Sequence, residues 1–331
     1  MLKDFGEIDY LCFSGGGGYG MMFIGALEAL KRTRNLDMDR IKGCIGTSAG
    51  ALTAFFVATG ASYERFLALA LEYDHCNIAP KMDIALLVNH YGMDEGGKLM
   101  EVIENVIESA GMSKNVTFSD LFRLTKRHFI SVASNLDTEQ AVYLDHVSNP
   151  NMEVKLAIRA SMGLPLVYPP CVIGETFYVD GALTEQYPVD FFPLEKTLVL
   201  GVNIPKIKVA AWREYAIAVM SCGITSQKNK FVKRLHAMNL ISHFIDLPAP
   251  PFDLKLTEIR KDVASFGFYH MLLVLCPEIS IALHTIVLYT IMSYLKLFQN
   301  LDETQTCGTY SECELRLLES DQKGHNETSP S

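Results

Sequence analysis

The chain has 331 residues, 49% of them hydrophobic and 20% charged, with a formal net charge of −9. That balance excludes a polar, disordered chain and gives no reason to expect a nucleic-acid partner. The length allows two domains, or one large domain with an extension. Charge is unevenly spread: residues 206–262 carry net +5 and residues 302–331 net −5.

The first thirteen residues, MLKDFGEIDYLCF, contain acids and no long apolar run. Without a signal peptide, an intracellular setting with reduced thiols is expected. Eight cysteines are present, with no CxxC pair and no Cys/His spacing that suggests zinc. Cys12 and Cys44 lie in apolar runs, where a thiol serves as a small buried hydrophobe.

In chain order, residues 8–13 predict a short strand, residues 14–20 a glycine turn, and MMFIGALEALKR a helix with Met21, Ile24, Leu27 and Leu30 on one stripe. Residues 41–45 predict a second strand, Gly46-Thr47-Ser48-Ala49-Gly50 a second turn, and ALTAFFVAT a second helix stopped by Gly60. Strand, glycine turn and helix, twice in sixty residues, is a parallel α/β pattern. Residues 61–128 read as mostly helical, with a loop near residues 90–92. Strands are expected over 129–135, 140–144, 176–179 and 197–202, a short helix from Lys155, and a proline-rich loop over 161–170. The regular pattern ends near Pro205.

Gly15-x-Gly17-x-x-Gly20 matches the dinucleotide fingerprint in form. Asp37 and Asp39, the acids about twenty residues on, precede the second strand instead of ending it, which disfavours a dinucleotide-binding oxidoreductase. What remains is a run of glycines whose amides can approach an anion beside a helix N-terminus. Gly46-x-Ser48-x-Gly50 sits between a strand and a helix, the setting in which a serine hydroxyl is exposed on a sharp elbow. The Ala49 amide could then stabilise an oxyanion. None of the nine histidines stands at a glycine-flanked strand end. Asp180 does, at the end of TFYV and before Gly181, where an α/β sheet opens its ligand crevice.

Taken together, these motifs resemble those of the patatin-like phospholipase family: a glycine-rich loop, then G-x-S-x-G, then D-G-G/A. Here they stand at Gly15–Gly20, Gly46–Gly50 and Asp180–Ala182, and the segment 157–189 is similar as well. The resemblance covers residues 6–205. It implies a three-layer α/β/α fold with a mainly parallel sheet, and a lipid acyl hydrolase acting on phospholipid or other acyl-lipid esters. It further implies Ser48 as nucleophile and Asp180 as base, a dyad without histidine. Gly15, Gly16, Gly17 and Gly18 with Ala49 would form the oxyanion hole, and Gly20, Gly46, Gly50 and Gly181 are motif glycines. No cofactor or metal is implied, and a membrane or lipid-droplet surface is the expected meeting place with substrate. Two positions depart from the family pattern: Tyr19 replaces a basic residue, and Gln186 an asparagine. Two other readings stay open. One is an α/β-hydrolase with a Ser-His-Asp triad; the other is a weakly active lipid-binding scaffold, which Tyr19 would favour.

Beyond residue 205 a helical extension to residue 301 is expected, followed by an acidic, disordered tail over 302–331. The run QKNKFVKR, residues 227–234, reads first as a solvated helix face and second as a site for anionic lipid headgroups. Residues 279–295 form a 17-residue stretch without Asp, Glu, Lys or Arg. A buried or interfacial helix is the first reading and a single membrane span the second.

Overall fold

The computed structural model describes residues 5, 7–33, 35–62, 65, 83–203, 209, 212–238, 240, 244–248 and 271. All belong to one compact unit spanning Met1–Ser280. The apolar stretch 279–295 and the acidic tail lie outside the described residues. Among the described residues no helix is long and apolar enough to cross a membrane.

The strands are β1 (Tyr10–Phe13), β2 (Gly43–Thr47), β3 (His128–Asn135), β4 (Gln140–Leu144), β5 (Cys171–Ile173), β6 (Thr176–Asp180), β7 (Thr197–Asn203) and β8 (Phe244–Pro248). The helices are α1 (Met21–Arg32), α2 (Ala49–Thr59), α3 (Ile84–His90), α4 (Gly97–Ser109), α5 (Phe118–Thr125), α6 (Val154–Ser161) and α7 (Trp212–Ala237). The sheet runs β5-β6-β3-β2-β1-β7-β8, with β4 paired to β3. Pairing is parallel from β3 through β8 and antiparallel where β4, β5 and β6 join. The expected α/β fold with a mainly parallel sheet is the one observed.

Alternation along the strands splits the interior in two. Leu11, Phe13, Cys44, Phe129, Leu198 and Leu200 join one core, with α1, α2, α4 and α6. Cys12, Ile45, Ile130, Val132 and Val199 face the other, with Tyr187, Phe192 and the α7 residues Phe231 and Leu235. Phe13, Phe23, Phe55 and Phe129 are fully buried. Each such side chain contributes on the order of 1.5–3 kcal/mol of transfer free energy.

Three features differ from the sequence expectations. The strand before the serine runs two residues further, to Thr47, so the elbow is Ser48 alone and α2 starts at Ala49. The glycine turn tightens into a 3-10 turn over Gly17–Gly20 that leads straight into α1. The sheet also does not end near Pro205: β8 extends it in parallel beside β7, and α7 covers one face. The boundary fell short because β8 is a five-residue strand that follows the 26-residue α7, with no glycine turn in the sequence before it.

The register of β3 matters most. Ser131 and Val132 pair with β2 on one side and β4 on the other, while Ala133, Ser134 and Asn135 pair with β6 and β4. A strand residue has only two edges, so β2 and β6 share the edge opposite β4. One runs parallel to β3 and the other antiparallel, so their C-terminal ends meet: Thr47 opposite Val132 and Asp180 opposite Ala133.

Candidate active site

Ser48 occupies the one-residue elbow with φ 56° and ψ −126°, a conformation that glycine adopts freely and other residues rarely. Its flanking glycines are sterically required. A Cβ on Gly46 would overlap the carbonyl of Gly50, and one on Gly50 would overlap the carbonyls of Ser14 and Phe13. The start of α2 therefore lies directly on the end of β1. Ser161, fully buried at the end of α6, fixes the elbow from below. Its hydroxyl accepts from Ser48 N–H at 2.8 Å and donates to the Val132 carbonyl at 2.5 Å.

Asp180 ends β6 and is 3% exposed. Its N–H donates to the Gly163 carbonyl at 2.9 Å, and its carbonyl accepts from Ser134 Oγ at 2.8 Å. One carboxylate oxygen, Oδ1, accepts the Ala182 N–H at 2.9 Å, and Gly181 opens the 3-10 turn that makes this contact. The other, Oδ2, accepts the Ser48 hydroxyl at 2.6 Å. Burial pushes the Asp180 carboxyl up to about 6, against the opposing pull of the Ser48 and Ala182 hydrogen bonds. None of the ion pairs among the described residues involves Asp180. The pair thus combines a strained, partly exposed hydroxyl with a carboxylate poised near neutrality.

The glycine loop lies against Ala49, the residue after Ser48. Gly17 and Gly18 are exposed, and Gly17 has φ 51°. Gly20 sits so close to Ala49 that a Cβ there would approach the Ala49 methyl to 2.8 Å. Gly15 and Gly16 are buried. Gly15 lies beneath Gln186, whose Nε2 donates to the Gly15 carbonyl at 2.9 Å. Gln186 is 3% exposed, so the glutamine at this variant position braces the loop. Tyr19, the other departure, is partly buried and packs against the core. Sequence patterns gave no sign of the roles of Ser161, Ser134 or Gln186. Each acts through a partner at least 29 residues away.

Among the described residues no histidine bonds to Ser48. His128 begins β3, several residues before Val132, and its Nε2 pairs with Asp145 Oδ2 at 2.7 Å. His146 stands edge-on to His128 and stacks on Phe122. The basic run on α7 is partly tied down: Lys228 pairs with Asp246, Arg234 pairs with Asp190, and Phe231 is buried.

A family model described as Patatin-like phospholipase matches residues 11–193. The chain is 25% identical over 276 residues to the uncharacterized protein R571 of Acanthamoeba polyphaga mimivirus, covering 79% of this chain and 86% of that one. It is 27% identical to a probable lipid hydrolase, 463L, of Invertebrate iridescent virus 6, over 54% of this chain and 61% of the other. The fold is similar to the crystal structure of VipD from Legionella pneumophila, with a TM-score of 0.50 and 15% identity over 81% of this chain and 67% of that one.

Proposed function

The chain belongs to the patatin-like phospholipase family, and on that footing we propose that it is a lipid acyl hydrolase working through Ser48 and Asp180. The observation that carries this reading is the 2.6 Å hydrogen bond from Ser48 Oγ to Asp180 Oδ2 at the end of a strained elbow. Ser48 Oγ attacks the ester carbonyl while its proton passes to Asp180. The carbonyl electrons move onto oxygen, and the amides of Gly16, Gly17, Gly18 and Ala49, with Gly15 holding the loop, face that developing charge. Collapse expels the alcohol, which takes the proton from Asp180 and leaves an acyl-serine. Water then attacks, gives its proton to Asp180, and the fatty acid departs as Ser48 recovers its hydrogen. A carboxyl near 6 suits both directions of this transfer at neutral pH.

A lipid surface as the meeting place with substrate is supported by apolar side chains left in solvent. Tyr91, Val172 and Phe177 are exposed and line a groove of about 460 Å³ beside the β5–β6 hairpin. Soluble domains rarely leave such residues clustered without a use.

The test is fatty-acid release from mixed phospholipid vesicles by the wild type, Ser48→Ala and Asp180→Asn. Release by the wild type alone supports the dyad. Turnover retained by both variants overturns it. Release by none, with Ser48 unreactive toward a fluorophosphonate, favours a binding role.

A further inference from the structure

We propose that Gln227, on α7, is a positioning residue that braces the acid turn and the glycine loop together, an inference that rests on the dyad reading above. Its side-chain amide is oriented by its partners. Oε1 accepts the backbone N–H of Gln186 at 2.7 Å, while Nε2 donates to the carbonyls of Ala182 and Leu183 at 3.3 and 3.1 Å. Both ends therefore meet the complementary group.

Each contact leads to the site in one further step. Ala182 and Leu183 belong to the 3-10 turn whose Ala182 N–H holds Asp180 Oδ1. Gln186 holds the Gly15 carbonyl through Nε2, and that carbonyl also accepts from Ser14 Oγ. Gln227 thus holds the 182–186 segment directly and the glycine loop through the side chain of Gln186. Sub-ångström placement of reacting groups governs rate, so a brace of this kind acts on turnover more than on substrate capture.

The docking of α7 does not depend on Gln227. Phe231 and Leu235 are buried in the second core, and the Phe231 ring stacks on Tyr187 with centroids 5.2 Å apart. Arg234 pairs with Asp190 nearby. Removing the amide should leave the helix seated.

The experiment compares Gln227→Met, Gln227→Glu and, as a control on α7 docking, Arg234→Gln. Two readouts are taken: hydrogen exchange of residues 14–20 and 181–187, and the pH profile of hydrolysis of a soluble short-chain ester. Methionine removes both contacts. Exchange should quicken in both segments, kcat should fall on the order of tenfold with KM unchanged, and the acid limb should move to higher pH as the Ala182 N–H loosens from Asp180. Glutamate keeps the acceptor for Gln186 N–H but turns an oxygen toward two carbonyls. It should quicken exchange in 181–187 and spare 14–20. Arg234→Gln should do neither. Unchanged exchange in both segments and an unchanged pH profile in Gln227→Met would overturn the proposal. If Ser48→Ala still cleaves the ester, the dyad fails instead, and the exchange data alone decide whether Gln227 braces the two segments.

Discussion

Ser161 and Ser48 lie 113 residues apart, yet the hydroxyl of the first accepts the backbone N–H of the second at 2.8 Å. The same hydroxyl reaches the Val132 carbonyl, so α6 ties the elbow to β3, the strand against which the ends of β2 and β6 are set. Replacing Ser161 by alanine leaves a buried N–H and a buried C=O without that partner. The expected cost is about 1–3 kcal/mol, with kcat reduced and Ser48 less reactive toward a fluorophosphonate. Thermal melting and labelling rate together check this. A variant that melts and labels like the wild type would remove Ser161 from the account.

On the proposed chemistry, Asp180 sets stability against activity. Its carboxyl is raised to about 6 by burial, so the folded chain holds this proton more tightly than the unfolded chain does. The contribution is fully present below the ordinary carboxylate value near 4 and is lost as pH rises through 6. At pH 8 the fold carries a buried carboxylate. Asp180→Asn cannot ionise, and its Nδ2 and Oδ1 can still meet Ser48 and Ala182. It should melt higher than the wild type at pH 8, by on the order of 2–3 kcal/mol, with the gap closing toward pH 4, and it should not turn over. In the wild type, kcat/KM should fall as pH drops below about 6. A variant less stable than the wild type at pH 8 would contradict the burial argument.

The elbow strain can be isolated by comparing two substitutions at one position. Ser48→Ala and Ser48→Gly both lose the hydroxyl and its bond to Asp180. Only glycine accommodates φ 56° and ψ −126° without cost. The glycine variant should be more stable than the alanine variant by about 1–2 kcal/mol. Denaturant melts measured side by side would reveal it, and equal midpoints would mean the elbow is unstrained.

Among the motif glycines, close approach and backbone conformation separate. Gly50→Ala would place a methyl 2.6 Å from the Phe13 carbonyl and closer still to that of Ser14. Backbone must move, so a loss of about 3 kcal/mol or more and poor soluble yield are expected. Gly17→Ala meets nothing within 4 Å and pays only for its positive φ, about 1 kcal/mol. It should fold and retain a measurable fraction of its activity. Comparable losses in the two variants would show that conformation, not contact, governs the loop.

How much of this was legible beforehand depends on the range of each interaction. α1 announced itself through Met21, Ile24, Leu27 and Leu30 because a helix writes its period locally. Ser48 and Asp180 stood out for the same reason, Ser48 lying between Gly46 and Gly50 and Asp180 just before Gly181, each at a strand end. The three-residue β5 was too short to alternate, and β8 followed no recognisable turn. Gln186 was legible only as a departure from a pattern. Its work at Gly15 is done across 171 residues of chain, and nothing in its neighbours records that partner. The basic run on α7 suggested lipid headgroups from charge alone, but Asp246 and Asp190 claim two of its cations.

β2 and β6 end nose to nose on a single edge of β3, and that arrangement orders events in time as well as in space. A growing chain that has reached only as far as α6 already holds Ser48, the glycine loop and Ser161, but on the edge of β3 away from β4 it has nothing beside Ala133. On the proposed chemistry it can neither take nor return a proton. The carboxylate arrives only when the β5–β6 hairpin fills the vacant half of that edge. On the same chemistry, a fragment halted before β6 could not cleave an acyl ester.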